Sequence, residues 1–175
     1  MSVPKNIFLT GFMGSGKTEV GVLLAQRLGR TFVDTDEMVE VKAGKRISDI
    51  FGDEGEAAFR RIEHECVVEA ARRSNAVIAL GGGAITRAEN WDAIGEGVVI
   101  CLWAQPETLL DRVLGNEDRP LLAGLDRMGR LDKIRRMLRE REAFYRKAHL
   151  VVDTDGRSVE EVVDRIAGEL VKCFG

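Results

Sequence analysis

Near its N-terminus the chain carries Gly11-Phe12-Met13-Gly14-Ser15-Gly16-Lys17-Thr18, and no other stretch restricts the fold as strongly. The pattern G-x-x-x-x-G-K-[ST] works only between a strand and a helix. Both are predicted: the apolar residues Ile7 to Leu9 precede it, and Val20, Leu23, Leu24 and Leu28 recur at helical spacing after it, with Gly29 as a stop. A polyphosphate carries several charges that must be met without bulky side chains in the way. Glycines let backbone N–H groups turn inward to cradle the phosphates, and the helix N-terminus adds positive potential. Lys17 is placed to reach the β- and γ-phosphates, and the Thr18 hydroxyl to ligate magnesium. The motif implies binding of a nucleoside triphosphate and leaves open what receives the phosphate.

The remaining chain repeats the strand–helix alternation. Short apolar runs at Asn6 to Thr10, Thr31 to Val33, Ala76 to Leu80, Val98 to Trp103 and His149 to Val152 read as strands buried on both faces. Helical stripes lie between and after them: Phe59, Ile62, Cys66 and Ala70 within Glu56 to Arg73, and Ile134, Leu138 and Tyr145 within Leu131 to Tyr145. A last helix spans Ser158 to Cys173, with Ser158 and Glu161 forming a capping box. This order predicts a parallel sheet with helices on both sides. Two stretches lack a sustained period. Met38 to Gly55 reads as short helices with glycine breaks that hold a substrate, and Gly115 to Gly129 as an irregular lid.

A chain of 175 residues, 45% hydrophobic and 31% charged, suits one domain over 1–175. A formal charge of −3 argues against a nucleic-acid binder. Cys66, Cys101 and Cys173 share no metal-ligand spacing and read as reduced thiols, the first two in the core. No signal-peptide layout or membrane-length apolar run is present, so a cytoplasmic protein without membrane association is expected. His64 and His149 have no partner spacing and read as structural, as do Trp91 and Trp103.

Further motifs follow in order: Asp34-Thr35-Asp36 after the second strand, Phe51-Gly52-Asp53-Glu54-Gly55-Glu56, Phe59-Arg60, Gly81-Gly82-Gly83 after the third strand, Arg119-Pro120-Leu121-Leu122, and Arg141 four residues before Tyr145. Each alone is weak. The ordered set, from Ile7 to the final helix, closely resembles the shikimate kinase family of nucleoside-monophosphate-kinase-like P-loop proteins. The resemblance implies a three-layer α/β/α fold with a five-stranded parallel sheet in order 2-3-1-4-5. It implies a substrate-binding region at about 34–61, a lid at about 113–125, and a monomer. The implied reaction is ATP plus shikimate giving ADP plus shikimate 3-phosphate, on the route to chorismate and the aromatic amino acids. Another small-molecule kinase of the gluconate type, or a non-catalytic nucleotide-binding module, would share the phosphate loop.

Residue roles carry over position by position. The nucleotide contacts implied are Gly14, Ser15, Gly16, Lys17, Thr18 and Glu19, with Arg112 and Arg157 near adenine, where cation–π stacking supplies the rationale for Arg112. Thr18 and Asp34 are assigned to Mg2+, and Asp36 to the substrate hydroxyls, where a carboxylate can accept a proton. Arg60, rather than the adjacent Arg61, and Arg141 are assigned to the substrate carboxylate, which a guanidinium fork fits. Gly81, Gly82 and Gly83 offer backbone amides at close range. Arg119 closes over the transferring phosphoryl group. One departure is Ala143, where the family often has proline.

Overall fold

The computed structural model describes residues 5–114 and 120–174. Its sheet is parallel and five-stranded in order β2-β3-β1-β4-β5, as the family resemblance implies. The strands are β1 (Asn6–Gly11), β2 (Thr31–Asp34), β3 (Ala76–Ala79), β4 (Val98–Trp103) and β5 (Leu150–Asp153). Burial follows strand position. β1 and β3 are buried at every residue and β4 at all but its last, whereas the edge strands β2 and β5 are covered only in part. Continuous apolar runs form the middle of the sheet because helices cover both its faces.

Side-chain alternation along β1 divides the core. Ile7 and Leu9 point toward α1 (Lys17–Leu28) and α8 (Val159–Phe174), packing with Val20, Leu24, Val163 and Ile166. Phe8 points the other way, toward a cluster holding Val67 and Ala70 of α4 (Gly55–Ala71), Leu109 of α6 (Pro106–Val113), and Ile134 and Tyr145 of α7 (Arg127–Tyr145). A third, smaller cluster joins Val39 of α2 (Thr35–Ala43), Ile50 of α3 (Ile47–Asp53) and Phe59, Ile62 and Cys66 of α4. It braces α2 and α3, the segment expected to hold a substrate.

Local chemistry sets the boundaries. Gly29 ends α1 at φ 63° with its N–H on Ala25 and Gln26 carbonyls, a left-handed turn that suits glycine. The capping box of α8 forms as predicted: Glu161 N–H donates to Ser158 Oγ at 3.2 Å and Ser158 N–H to Glu161 Oε2 at 2.7 Å. Two helices escape the sequence reading, α5 (Ala88–Ile94) and α6, because seven and eight residues give too few repeats of a helical period. One expectation is corrected. The irregular stretch does not extend to Gly129, because Asp126 caps α7 by accepting from Gly129 N–H at 2.8 Å and the helix begins at Arg127. Residues 115–119, including Gly115 and Arg119, lie outside the described residues.

Ser158→Ala removes one half of the α8 cap. It is expected to lower stability by about 1 kcal/mol, read as a lower urea midpoint at unchanged slope.

Candidate active site

β1 ends at Gly11 and the chain turns through the phosphate loop into α1. Gly14 (φ 79°) and Gly16 (φ 93°) both need left-handed backbone, and a Cβ on Gly14 would lie 2.9 Å from Val113. Lys17 folds back so that its ammonium donates to the Gly11 and Phe12 carbonyls at 3.0 and 3.2 Å. The cation is thereby tethered at the mouth of the loop. The first-turn amides of α1 face the same space, where a helix N-terminus favours anions.

Asp34 terminates β2 and caps α2, accepting from Asp36 N–H at 2.9 Å through Oδ1. Its Oδ2 accepts from the Thr18 hydroxyl at 3.0 Å. A hydroxyl and a carboxylate therefore converge beside the phosphate loop, an oxygen pair suited to a hard cation. Among the described residues no group of three or more His, Cys, Asp or Glu side chains could hold a metal alone. Two protein oxygens fit Mg2+, which keeps waters and takes phosphate oxygens for its remaining ligands.

Two cavities open along the C-terminal edge of the sheet. The first, about 650 Å³, is lined by the phosphate loop, Lys17, Thr18, Glu19, Arg112, Arg157 and Ser158. The second, about 410 Å³, lies over α2, α3 and α4 and is lined by Asp36, Phe51, Arg60, Glu63, Arg141 and the glycines 81–83. Met13, Thr18, Asp34, Asp36 and Gly82 line both. Thr18 and Asp34, expected at the metal, and Asp36 and Gly82, expected at the acceptor, thus line one shared wall.

Two arginines from different helices, Arg60 of α4 and Arg141 of α7, line the second cavity. Arg60 keeps only 12% of its side chain exposed and forms a 2.6 Å ion pair with Glu63, whose side chain is 1% exposed. Glu56 adds a second contact at 3.2 Å, and the guanidinium lies 5.0 Å from the Phe59 ring centroid. Arg61 is 67% exposed and pairs with Glu65 on the outer face, so helix geometry separates the two neighbours. Burial works to lower the Arg60 pKa, but the charges and hydrogen bonds of Glu63 and Glu56 outweigh it and raise it. Burial pushes the Glu63 carboxyl up, against the opposing pull of Arg60, Arg141 and Arg87. The Oε1 of Glu63 has no donor among the described residues. From α7, Arg141 donates to the Gly82 carbonyl at 3.3 Å and sits 5.6 Å from the Phe12 ring centroid.

Gly81 and Gly83 permit this crowding. A Cβ on Gly83 would stand 2.5 Å from Arg60 Nη2, and one on Gly81 would stand 2.6 Å from Glu63 Oε1 and 2.8 Å from Asp36 Oδ1. At the far end of the first cavity, Arg112 is fixed by Thr154 Oγ1 and O at 3.0 Å each and by Gly14 O at 3.3 Å. Its guanidinium ties the phosphate loop to the loop before α8.

Sequence reasoning missed Glu63 and Thr35. The first is legible in hindsight as an i, i+3 partner of Arg60 on one helix face. The fully buried Thr35 accepts from Gly81 N–H at 3.1 Å and fastens the glycine loop to α2, a tertiary contact with no local signal. The residues read as structural pack so. His64 Nδ1 meets Asn90 Oδ1 at 2.7 Å, His149 Nδ1 accepts from Val99 N–H at 3.0 Å, and Trp91 donates to Ile85 O at 2.9 Å. Trp103 lies edge-on to Tyr145. Cys66 and Cys101 are buried and Cys173 is exposed, all as free thiols.

A parallel sheet with a Walker-type loop, a Thr–Asp oxygen pair beside it and an adjoining cavity that holds Asp36, Arg60 and Arg141 defines a P-loop phosphotransferase. Comparison with known proteins narrows the class. A family model described as shikimate kinase matches residues 13–171. The chain is 53% identical over 169 residues to the shikimate kinase of Symbiobacterium thermophilum, covering 94% of this chain and 95% of that one. It is 43% identical to that of Caldanaerobacter subterraneus, covering 98% and 99%. In structure it is similar to the shikimate kinase of Acinetobacter baumannii in complex with shikimate, with a TM-score of 0.93 and 36% identity over 98% of this chain and 95% of that one. The chain belongs to the shikimate kinase family, whose members are ATP-dependent kinases.

Tyr145 is the chain's single tyrosine. Burial first, offset in part by Arg141, pushes its phenol up to about 12 from an ordinary 10. Tyrosinate absorbance should therefore rise with a midpoint near pH 12 while the protein stays folded. The unfolded chain loses this proton first, so folded stability should fall as pH rises from 10 toward 12. A midpoint near 10 in the folded protein would contradict this environment for the phenol.

Proposed function

We propose that this chain transfers the γ-phosphoryl group of ATP to the 3-hydroxyl of shikimate, giving ADP and shikimate 3-phosphate on the route to chorismate. The carrying observation is the wall shared by the two cavities, where Thr18, Asp34, Asp36 and Gly82 face both. A polyphosphate seated at Lys17 and a small hydroxylated acid seated between Arg60 and Arg141 would meet at Asp36.

The roles follow from placement. The phosphate-loop amides and Lys17 hold the β- and γ-phosphates. Thr18 and Asp34 would hold Mg2+, which when bound neutralises phosphate charge. Asp36 orients the attacking hydroxyl and can accept its proton as the new O–P bond forms and the bridge to the β-phosphate breaks. Arg60 and Arg141 bind the carboxylate from two sides, and Glu63 holds the Arg60 fork in place. Arg112 and Arg157 flank the base. The part given to Arg119 rests on the sequence resemblance alone. With all reacting groups bound side by side, rate enhancement comes mainly from positioning and preorganised charge.

The region 34–61, which holds α2, α3 and the start of α4, is assigned to the acceptor. All groups in this scheme come from one chain, so a monomer suffices. Three free thiols suit a reducing cytoplasm. No helix among the described residues is long and apolar enough to cross a membrane.

A coupled assay of ADP release should show turnover with shikimate and none above background with gluconate or nucleoside monophosphates. Shikimate-independent release at the same rate would contradict the assignment. Lys17→Ala is expected to lower kcat by about 1,000-fold, since it deletes a preorganised charge at the transferring group. Asp36→Asn should lower kcat more than it raises KM for shikimate.

Arg60→Ala should raise KM for shikimate about 10- to 100-fold, the loss expected for hydrogen bonds between charged groups, while KM for ATP barely moves. Arg61→Ala should leave both values unchanged. Equal effects from the two arginines would contradict the burial that separates them.

A further inference from the structure

The loop Gly81-Gly82-Gly83 should be among the least determined segments of the chain, because consecutive glycines leave each peptide plane free to rotate. In the fold its carbonyls are held one after another. Gly81 O accepts from Ala84 N–H at 3.0 Å, and Gly83 O from the Thr86 hydroxyl at 2.7 Å. Ala84 O accepts from Asn90 Nδ2 at 2.8 Å and Ile85 O from Trp91 Nε1 at 2.9 Å. Gly82 O takes the Tyr145 hydroxyl at 2.7 Å, and Arg141 at 3.3 Å.

Gly82 is the position where this restraint bears on the cleft. A trans peptide sets its C=O and the following N–H on opposite sides of the chain. Tyr145 is 1% exposed and sits in the core below the loop, against Trp103. Drawing the Gly82 carbonyl down onto the phenol therefore turns the Gly83 N–H up, away from the core. The Gly83 and Gly82 N–H groups have no protein partner among the described residues. Above Gly83 lies the Arg60 guanidinium, so close that a Cβ would stand 2.5 Å from Nη2. The amide and the guanidinium are thus brought to one spot, and both are donors.

We propose that Tyr145 is a positioning residue for acceptor recognition: its hydroxyl fixes the Gly82–Gly83 peptide plane, and with it the direction of the glycine-loop amide that the acceptor reading already sets beside Arg60 and Arg141. The proposal rests on reading this cavity as the acceptor site. Tyr145 itself never meets the ligand. It shares the Gly82 carbonyl with Arg141, whose guanidinium also interacts with the phenol, so the three groups restrain one another. Without the phenol hydroxyl, the plane can rotate through conformations that only glycine allows, and the amide donor is lost for part of the time.

The test is Tyr145→Phe, which keeps the ring against Trp103 and deletes only the donor. Binding is followed by calorimetry without nucleotide, for shikimate and for its analogue with hydroxymethyl in place of carboxylate. The variant should bind shikimate about 5- to 20-fold more weakly, as expected for loss of a hydrogen bond that serves a charged ligand, and should bind the analogue nearly as well as the unaltered chain does. In turnover, KM for shikimate should rise while kcat and KM for ATP stay close to their original values. Equal weakening toward both ligands would show a merely structural phenol and overturn the proposal, as would unchanged shikimate binding.

In the unaltered chain labelled with 15N-glycine, the Gly83 amide proton should move downfield with shikimate and stay in place with the analogue. A resonance that ignores shikimate overturns the proposal even if the variant cannot be made. A chain that neither binds nor phosphorylates shikimate would overturn the functional reading together with this inference, whereas failure of the variant tests alone leaves that reading intact.

Discussion

Parallel strand register is the constraint on which the cleft depends. Leu9 of β1 and Asp34 of β2 both pair with Ala79 of β3, so three strands reach the same level at the same edge of the sheet. Two residues beyond Leu9 is Gly11, where the phosphate loop starts. Asp34 itself carries the oxygen that meets Thr18, and two residues beyond Ala79 is Gly81. A slip of one residue in either pairing would turn alternate side chains to the opposite face and part Asp34 from Thr18. Because each face of β1 is packed against its own cluster, Phe8 on one side and Ile7 and Leu9 on the other, such a slip would also misfit both cores.

Charge is distributed around this edge in a way that suits the proposed pair of anionic ligands. Lys17 and the start of α1 mark one end, and Arg60 and Arg141 the other. Between them stand Asp34 and Asp36, which keep the two cationic ends from merging into one anion trap. The Arg60–Glu63 pair is costly to bury. It nevertheless holds a long, flexible side chain in one orientation, as the carboxylate-binding part proposed for Arg60 requires. The small cluster of Val39, Ile50, Phe59, Ile62 and Cys66 supports that pair from below.

Much of this was legible in the residues themselves. Gly11 to Thr18 forces a strand–loop–helix unit, and the five apolar runs fall on the five strands within a residue or so at their ends. The capping box at Ser158 and the stop at Gly29 are local chemistry and form as read. What escaped has a physical pattern. α5 and α6 are too short for periodicity to register. The start of α7 is set by Asp126 reaching Gly129, a cap hidden in a stretch that reads as irregular. Thr35, Glu63 and Asn90 act through partners distant in sequence or one helical turn away, and nothing in their immediate neighbours announces it. Arg60 and Arg61 are alike in composition; the resemblance singles out Arg60, and the side of α4 on which each lies separates them in the fold.

The central claim is that one cleft holds the nucleotide's terminal phosphates and shikimate's reacting hydroxyl side by side. Paramagnetic relaxation tests it directly. With Mn2+ and a non-hydrolysable ATP analogue bound, the protons of bound shikimate should relax faster, and the proton on the carbon bearing the 3-hydroxyl most of all. Uniform relaxation equal to that in bulk solvent, or a gradient steepest at the carboxylate end, would contradict it.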